Sequence, residues 1–363
     1  MIRLKAAEIR NKKIIDAVLE KEKAVCPGAV ALIGIYGSFE TGDVHPLSDL
    51  DLLILINDSR GWQLGSAFIL EDPPVGYDIY CTDWESLRRD AEFGDPNIAK
   101  LMDSRIVYCA DDRYMDELEA LRAGVRRILD RPFCEADHRK AEDALKEAQR
   151  LYALAMLAET PHEALKPACG VLYYTENAVA MLNKTYFRRG VRRRFEELNA
   201  MKNRPERLCE LIEDVLSAST VTALKQRLTA LVRETTACFE RARQTLLPPK
   251  AKPSPETLGG TYEEMYSNWH GKMALAAQTG DRHLAFMSLG SLDEMLSDIS
   301  GSVDIAHYDA LSAYDPGDLE KTAAGFDAVL LSYLREYEKV GLKPKVYPDA
   351  DAFAAAYTDP AAE

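Results

Sequence analysis

The sharpest change from polar to apolar positions lies where Ser48-Asp49-Leu50-Asp51-Leu52 runs into Leu53-Ile54-Leu55-Ile56. Side chains along a strand alternate between faces, so this spacing puts Asp49 and Asp51 on one face and Leu50 and Leu52 on the other, with the aliphatic run anchored in a core. Upstream, Ala29 to Tyr36 reads as a first buried strand ending at Gly37-Ser38. Downstream, Ser66 to Leu70 and Gly76 to Cys81 read as further strands on either side of a Pro73-Pro74 turn. Leu4 to Val25 has the spacing of a charged amphipathic helix, expected to cover one face of the sheet.

Beyond Tyr108 the pattern changes period. Lys100 to Tyr108 reads as a helix running into a short strand, and Asp111 to Leu129 is helical until Arg131-Pro132 breaks it. Almost everything that follows is rich in Ala, Leu, Glu, Lys and Arg at helical spacing. The expected organisation is an α+β domain over 1–131, a small mixed sheet flanked by helices, followed by an all-α helical bundle over 132–363. Within the bundle, the stiff Pro-rich segment 248–255 separates two groups of helices.

Two carboxylates at the mouth of a buried strand are costly unless a positive charge meets them. Magnesium takes hard oxygen ligands from one or two carboxylates together with phosphate and water, so Asp49 and Asp51 suit a nucleotide-bound ion. Gly37 allows close approach of backbone to a ligand, and the Ser38 hydroxyl and nearby amides can hold phosphate oxygens. Asp78, alone among β-formers on the strand from Gly76, is the candidate third acid; on its own it would pass for a surface residue.

The run Gly37-Ser38-x10-Asp49-x-Asp51, followed by the single strand acid Asp78, resembles the nucleotidyltransferase superfamily of DNA polymerase β. The compact segment from Gly37 to Leu52 is similar to its small-molecule branch, which includes the kanamycin and other antibiotic nucleotidyltransferases. The resemblance covers about residues 29 to 82. It implies an enzyme that transfers a nucleoside monophosphate, AMP from ATP as the first expectation, to a hydroxyl of a small acceptor such as an aminoglycoside-like antibiotic, with release of pyrophosphate. It implies two magnesium ions held by Asp49, Asp51 and Asp78, and a nucleotide seated by Gly37, Ser38 and Ser48. Many relatives carry Ala-Arg-Gly after the Gly-Ser-aromatic element, where this chain has Glu40-Thr41-Gly42, so a basic residue for the triphosphate must come from elsewhere.

The helical half offers two leads. On a helix from Leu165 to Asn183, at about 100° per residue, Leu165, Leu172, Val179 and Asn183 form one stripe, and Glu176 falls inside it. A carboxylate in an apolar face can accept the proton of an attacking hydroxyl, a role the family also assigns to a glutamate of the helical domain. Equally, Glu176 reads as a buried glutamate paired with Lys166, Lys184 or an arginine, and Asp78 is itself a possible base. The second lead is Lys184 to Arg194, with six basic residues in eleven, which reads either as the counter-charge for a triphosphate, Lys184 foremost, or as a solvated basic turn after a helix end. Trp269 with Met265, Met273 and Ala276 reads as core, while Tyr173, Tyr174, Tyr262 and Tyr266 are candidates for lining an acceptor pocket.

The formal charge of −14 over 363 residues disfavours a long nucleic-acid partner, because phosphate backbones bind basic surfaces, and it favours a cationic acceptor. Seven scattered cysteines without a Cys-x-x-Cys pair favour reduced thiols, and the six histidines show no metal-ligand spacing. With no signal-peptide pattern and no long apolar run, a cytoplasmic protein without membrane spans is expected. A protein-adenylylating enzyme of toxin–antitoxin type and a non-catalytic nucleotide-binding regulator are the alternatives.

Overall fold

The computed structural model describes residues 2–45, 47–71 and 74–358. Helix α1 (Ile2–Val25) leads into strand β1 (Val30–Tyr36), the four-residue helix α2 (Ser38–Thr41) and β2 (Asp51–Ile56). A hairpin of β3 (Ser66–Glu71) and β4 (Pro74–Ile79) follows, then β5 (Cys81–Asp83), α3 (Trp84–Ala91), α4 (Ala99–Met102) and β6 (Arg105–Cys109). The main sheet is mixed, in the order β5-β2-β1-β6, with β1 antiparallel to both β2 and β6, and β2 parallel to β5.

Alternation along β2 sorts its side chains between two cores. Leu50, Leu52, Ile54 and Ile56 pack with Val18 of α1 and with Val75, Tyr77 and Ile79 of the hairpin. Leu53 and Leu55 turn to the opposite face and pack with Leu87, Leu101, Leu118 and Val125. Helix α1 therefore covers one face and α3 to α5 (Asp112–Asp130) the other.

The stretch expected to be one strand from Gly76 to Cys81 is two. Residues through Ile79 pair with β3, whereas Cys81 to Asp83 pair with β2, and Tyr80 lies between them outside both ladders. Asp78 consequently belongs to the two-stranded hairpin and not to the main sheet. The expected turn before it includes Pro73, which lies outside the described residues.

The rest is helical: α6 (Glu135–Leu157), α7 (Pro161–Leu182), α8 (Arg194–Ala200), α9 (Leu208–Leu216) and α10 (Val221–Gln244), with a shared core that includes Ala155, Val171, Leu198, Ile212 and Leu228. The chain divides into two compact units, residues 1–247 and 248–363. The Pro-rich segment opens the second unit, while Arg131-Pro132 is a break between α5 and α6 inside the first. The second unit contains α11 (Pro255–Leu258), α12 (Thr261–Met265), a π-helical turn (Tyr266–His270), α13 (Gly271–Thr279), α14 (Arg282–Ser302), α15 (Leu319–Lys339) and α16 (Ala350–Tyr357). Met265, Met273 and Ala276 are buried there with Phe326, Tyr333 and Tyr337, and Trp269 packs against them, whereas Tyr266 is exposed. Among the described residues no helix is long and apolar enough to cross a membrane.

One buried cation pins the acid-bearing half of the first unit to its helices. The Arg122 side chain on α5 donates from Nε to the Leu101 carbonyl (2.8 Å) and from Nη2 to the Ser104 carbonyl and hydroxyl (2.6 and 2.9 Å). Replacing Arg122 with Met leaves two buried carbonyls unpartnered. The variant is expected to lose about 3 kcal/mol in chemical denaturation.

Candidate active site

Strand β1 delivers Tyr36 and Gly37, and β2 delivers Asp51 directly opposite Tyr36 in the ladder. Gly37 has a φ of 67°, and a Cβ built there would lie 1.9 Å from Asp51 Oδ2. Only a residue without a side chain lets the Asp51 carboxylate occupy that position. The backbone N–H of Ser38, at the start of α2, lies beside Asp51 and favours its charged form. Asp49 precedes β2 in the loop, and Ser48 braces that loop: its buried hydroxyl accepts from the His45 N–H at 2.9 Å.

Burial, with Asp49 second, pushes the Asp51 carboxyl up to about 6 against the opposing pull of the Ser38 N–H. Tyr36 registers the same field. Burial and then the charges of Asp51, Asp49, Tyr80 and Asp78 push its hydroxyl up to about 12, so it remains a hydrogen-bond donor at neutral pH. The negative potential of all three candidate acids therefore bears on one hydroxyl.

These residues line a cavity of about 470 Å³ whose other wall comes from the segment between α7 and α8. Gly37, Ser38, Ser48, Asp49 and Asp51 are brought together on one side, and Phe187 to Arg194 stand on the other. Asp78 lies outside it, on the exposed face of the hairpin, where it and Asp49 line an adjoining concavity of about 670 Å³ with Ile69 and Gly76. Asp49 is common to both. Among the described residues no three His, Cys, Asp or Glu side chains form a metal-holding cluster. The donor set fits a divalent cation at the Asp49–Asp51 pair, whose mutual repulsion a cation would relieve, with Asp78 standing beside it.

Of the two leads from the helical region, Glu176 and Lys184 are placed elsewhere. Glu176 is largely buried 3.4 Å from Arg194 Nε, behind the cavity wall, and burial raises its carboxyl while Arg194 opposes the shift. Its stripe is buried at Val179 and half-buried at Leu172, while Leu165 is exposed. Lys184 turns away from the cavity, donates to the Arg131 carbonyl, and lies 4.0 Å from Asp137. The arginines of the same basic run do reach the cavity.

Four of the five arginines there are paired with carboxylates. Arg188 pairs with Asp103 (3.2 Å), Arg189 and Arg193 with both Asp43 and Glu196, and Arg194 with Glu176 while stacking over the Phe187 ring at 3.4 Å. Arg192 is exposed and has no carboxylate partner among the described residues. The lining residues without a separate signal in the sequence include Tyr36, Asp43 and Asn97, the last bonded to Tyr173 Oη and Asn177 Oδ1 of α7. Adjacency to Gly37-Ser38 could have found Tyr36. Nothing local marks the other two.

Residues 11–103, from the middle of α1 to the end of α4, match the family model described as a nucleotidyltransferase domain. This segment is a nucleotidyltransferase domain. A solved structure titled as a nucleotidyltransferase-like protein from Exiguobacterium sibiricum 255-15 is similar at 15% identity over 77% of this chain and 89% of that chain, with a TM-score of 0.34. Comparison with curated proteins found no match. The nucleotidyltransferase domain thus contains Gly37, Ser38, Ser48 and all three acids, and the family match ends before the arginine wall.

Two outcomes test this geometry. Gly37→Ala is expected to destabilise the chain by about 2 kcal/mol or more, from the strained φ and the clash with Asp51. For Asp51, a folded-state value of about 6 against about 3.9 when unfolded means that the native state binds the extra proton between those pH values. Stability therefore falls as pH rises through that window. In metal-free buffer Asp51→Asn should melt above the wild type at pH 7.5, by an amount on the order of 2 kcal/mol. The advantage should vanish near pH 4, and thermal melts at the two pH values check it.

Proposed function

We propose that this chain transfers a nucleoside monophosphate, AMP from ATP, to a hydroxyl of a small-molecule acceptor and releases pyrophosphate. The observation that carries the reading is the cavity in which Asp49 and Asp51 of the nucleotidyltransferase domain face an arginine wall. Carboxylates on one side suit a cation, and guanidinium groups on the other suit a polyphosphate. The arginine wall supplies the basic function that Glu40-Thr41-Gly42 lacks.

In this reading Asp49 and Asp51 would hold magnesium, with Asp78 beside them. The bound metal supplies charge neutralisation at the phosphates. Gly37 and the Ser38 amide seat the phosphate chain against the loop, and Arg192 meets its outer oxygens. The acceptor oxygen attacks the α-phosphorus in line, and the bond from that phosphorus to the oxygen bridging to the β-phosphate breaks. The electron pair leaves with pyrophosphate. Asp78, exposed and next to Asp49, takes the hydroxyl proton. Among the described residues its concavity is lined by two carboxylates and no basic side chain, which favours a cationic acceptor of aminoglycoside type.

The test is incubation with each α-labelled nucleoside triphosphate, magnesium and a panel of aminoglycosides, lincosamides and cell lysate. Label is expected on a small molecule, from ATP in preference to the other nucleotides. Asp49→Asn and Asp51→Asn are each expected to lower transfer at least 100-fold. Label on a protein band alone would replace the small-molecule reading, and near-normal turnover by either variant would remove the assignment of the acids.

A further inference from the structure

The donor inventory of the arginine wall separates side chains that hold the pocket together from those free to meet a ligand. Asp43 lies in the loop between α2 and β2, the same loop that ends at Asp49, and its carboxylate is 11% exposed. Arg189, 146 positions later, donates to it from Nε (2.7 Å) and Nη2 (2.5 Å), and gives its Nη1 to Glu196 (2.8 Å). Every guanidinium nitrogen of Arg189 is therefore engaged. Arg193 donates Nε to Asp43 (3.0 Å) and Nη1 to Glu196 (2.6 Å), leaving Nη2 without a protein partner among the described residues. Thr41 Oγ1 also donates to Asp43, at 3.1 Å.

We infer that Asp43 is a positioning residue: its bidentate pair with Arg189 ties the loop of the two acids to the arginine segment and sets the width of the cavity between them. Arg189 is then a strut, and Arg192 with the Nη2 edge of Arg193 forms the phosphate-facing group. The inference rests on the nucleotide reading of the pocket. The opposite arrangement, in which Asp43 acts as an internal anion competing with phosphate for the arginines, makes the reverse prediction for its removal. Geometry favours the strut, because the Asp43 carboxylate is 11% exposed and accepts from Thr41, Arg189 and Arg193 together, so a phosphate could take its place only by unpairing all of them.

The experiment is a mutant cycle on the full chain, with ATP and inorganic tripolyphosphate as probes, reading binding by calorimetry and, with ATP, KM and kcat. Asp43→Asn and Arg189→Gln are each expected to weaken both probes about tenfold, with kcat changed less than threefold. The double variant is expected to be no worse than the weaker single one, since both remove the same tie. Arg192→Gln combined with Asp43→Asn should instead multiply. Asp43→Glu, keeping the charge on a longer arm, should weaken binding less than Asp43→Asn. If Asp43→Asn does not melt cooperatively, the cycle is run with Asp43→Glu and Arg189→Lys, the latter keeping charge without the fork. Unchanged or tighter binding in the Asp43 variants overturns the inference, as do Asp43 and Arg189 losses that multiply. Wild type that binds tripolyphosphate in this pattern but transfers no nucleotide sinks the transferase reading and leaves the strut standing. Wild type that binds neither probe overturns both.

Discussion

Two like charges held close together at the mouth of a buried strand are the constraint around which the first unit is arranged. Leu52 to Ile56 are embedded in two cores, so β2 cannot slide or turn, and Asp51 has no freedom to retreat into water. Gly37 gives up its side chain to make room for that carboxylate, and the nearby Ser38 N–H favours its charged form. The sheet's packing energy thus maintains an electrostatic arrangement that would not persist in a free peptide.

The compensating charge does not come from the sheet. It comes from a segment between two helices, and it is nearly neutralised on arrival: Asp43, Asp103, Glu176 and Glu196 each take an arginine. A wall of five bare guanidinium groups would repel itself. Interleaved carboxylates let it pack, and they leave a small remainder of positive charge facing the cavity. The first helices beyond Arg131-Pro132 belong to the same compact unit as the sheet.

The alternation of Asp49, Leu50, Asp51 and Leu52 was legible because a strand has a fixed period and the aliphatic run that follows fixes which face is buried. The basic run was equally visible as a local excess of charge. Less of Asp78 was legible: residues 74–83 are continuously strand-forming, and only pairing with two different partners splits them at Tyr80. Which basic residue enters the cavity was not legible at all. Lys184 and Arg192 look alike in sequence, and their fates are decided by Asp137 and the Arg131 carbonyl on one side and by the fold of 188–194 on the other. The Glu176 stripe showed that a carboxylate would be largely buried, but its partner, Arg194, is set by tertiary packing.

The separation of Asp43 from Arg189 along the chain also bears on the order in which the molecule can be assembled during synthesis. The sheet and its acids can form once α5 has emerged, since β1, β2 and β6 and the helices that cover both faces are all then present. The wall that faces them waits for α6 and α7 to be made and packed. Contacts between residues so far apart in sequence close late, after the entropy of the intervening chain has been spent. Chain order therefore allows the acid pair to be in place on a nascent chain before anything stands opposite it.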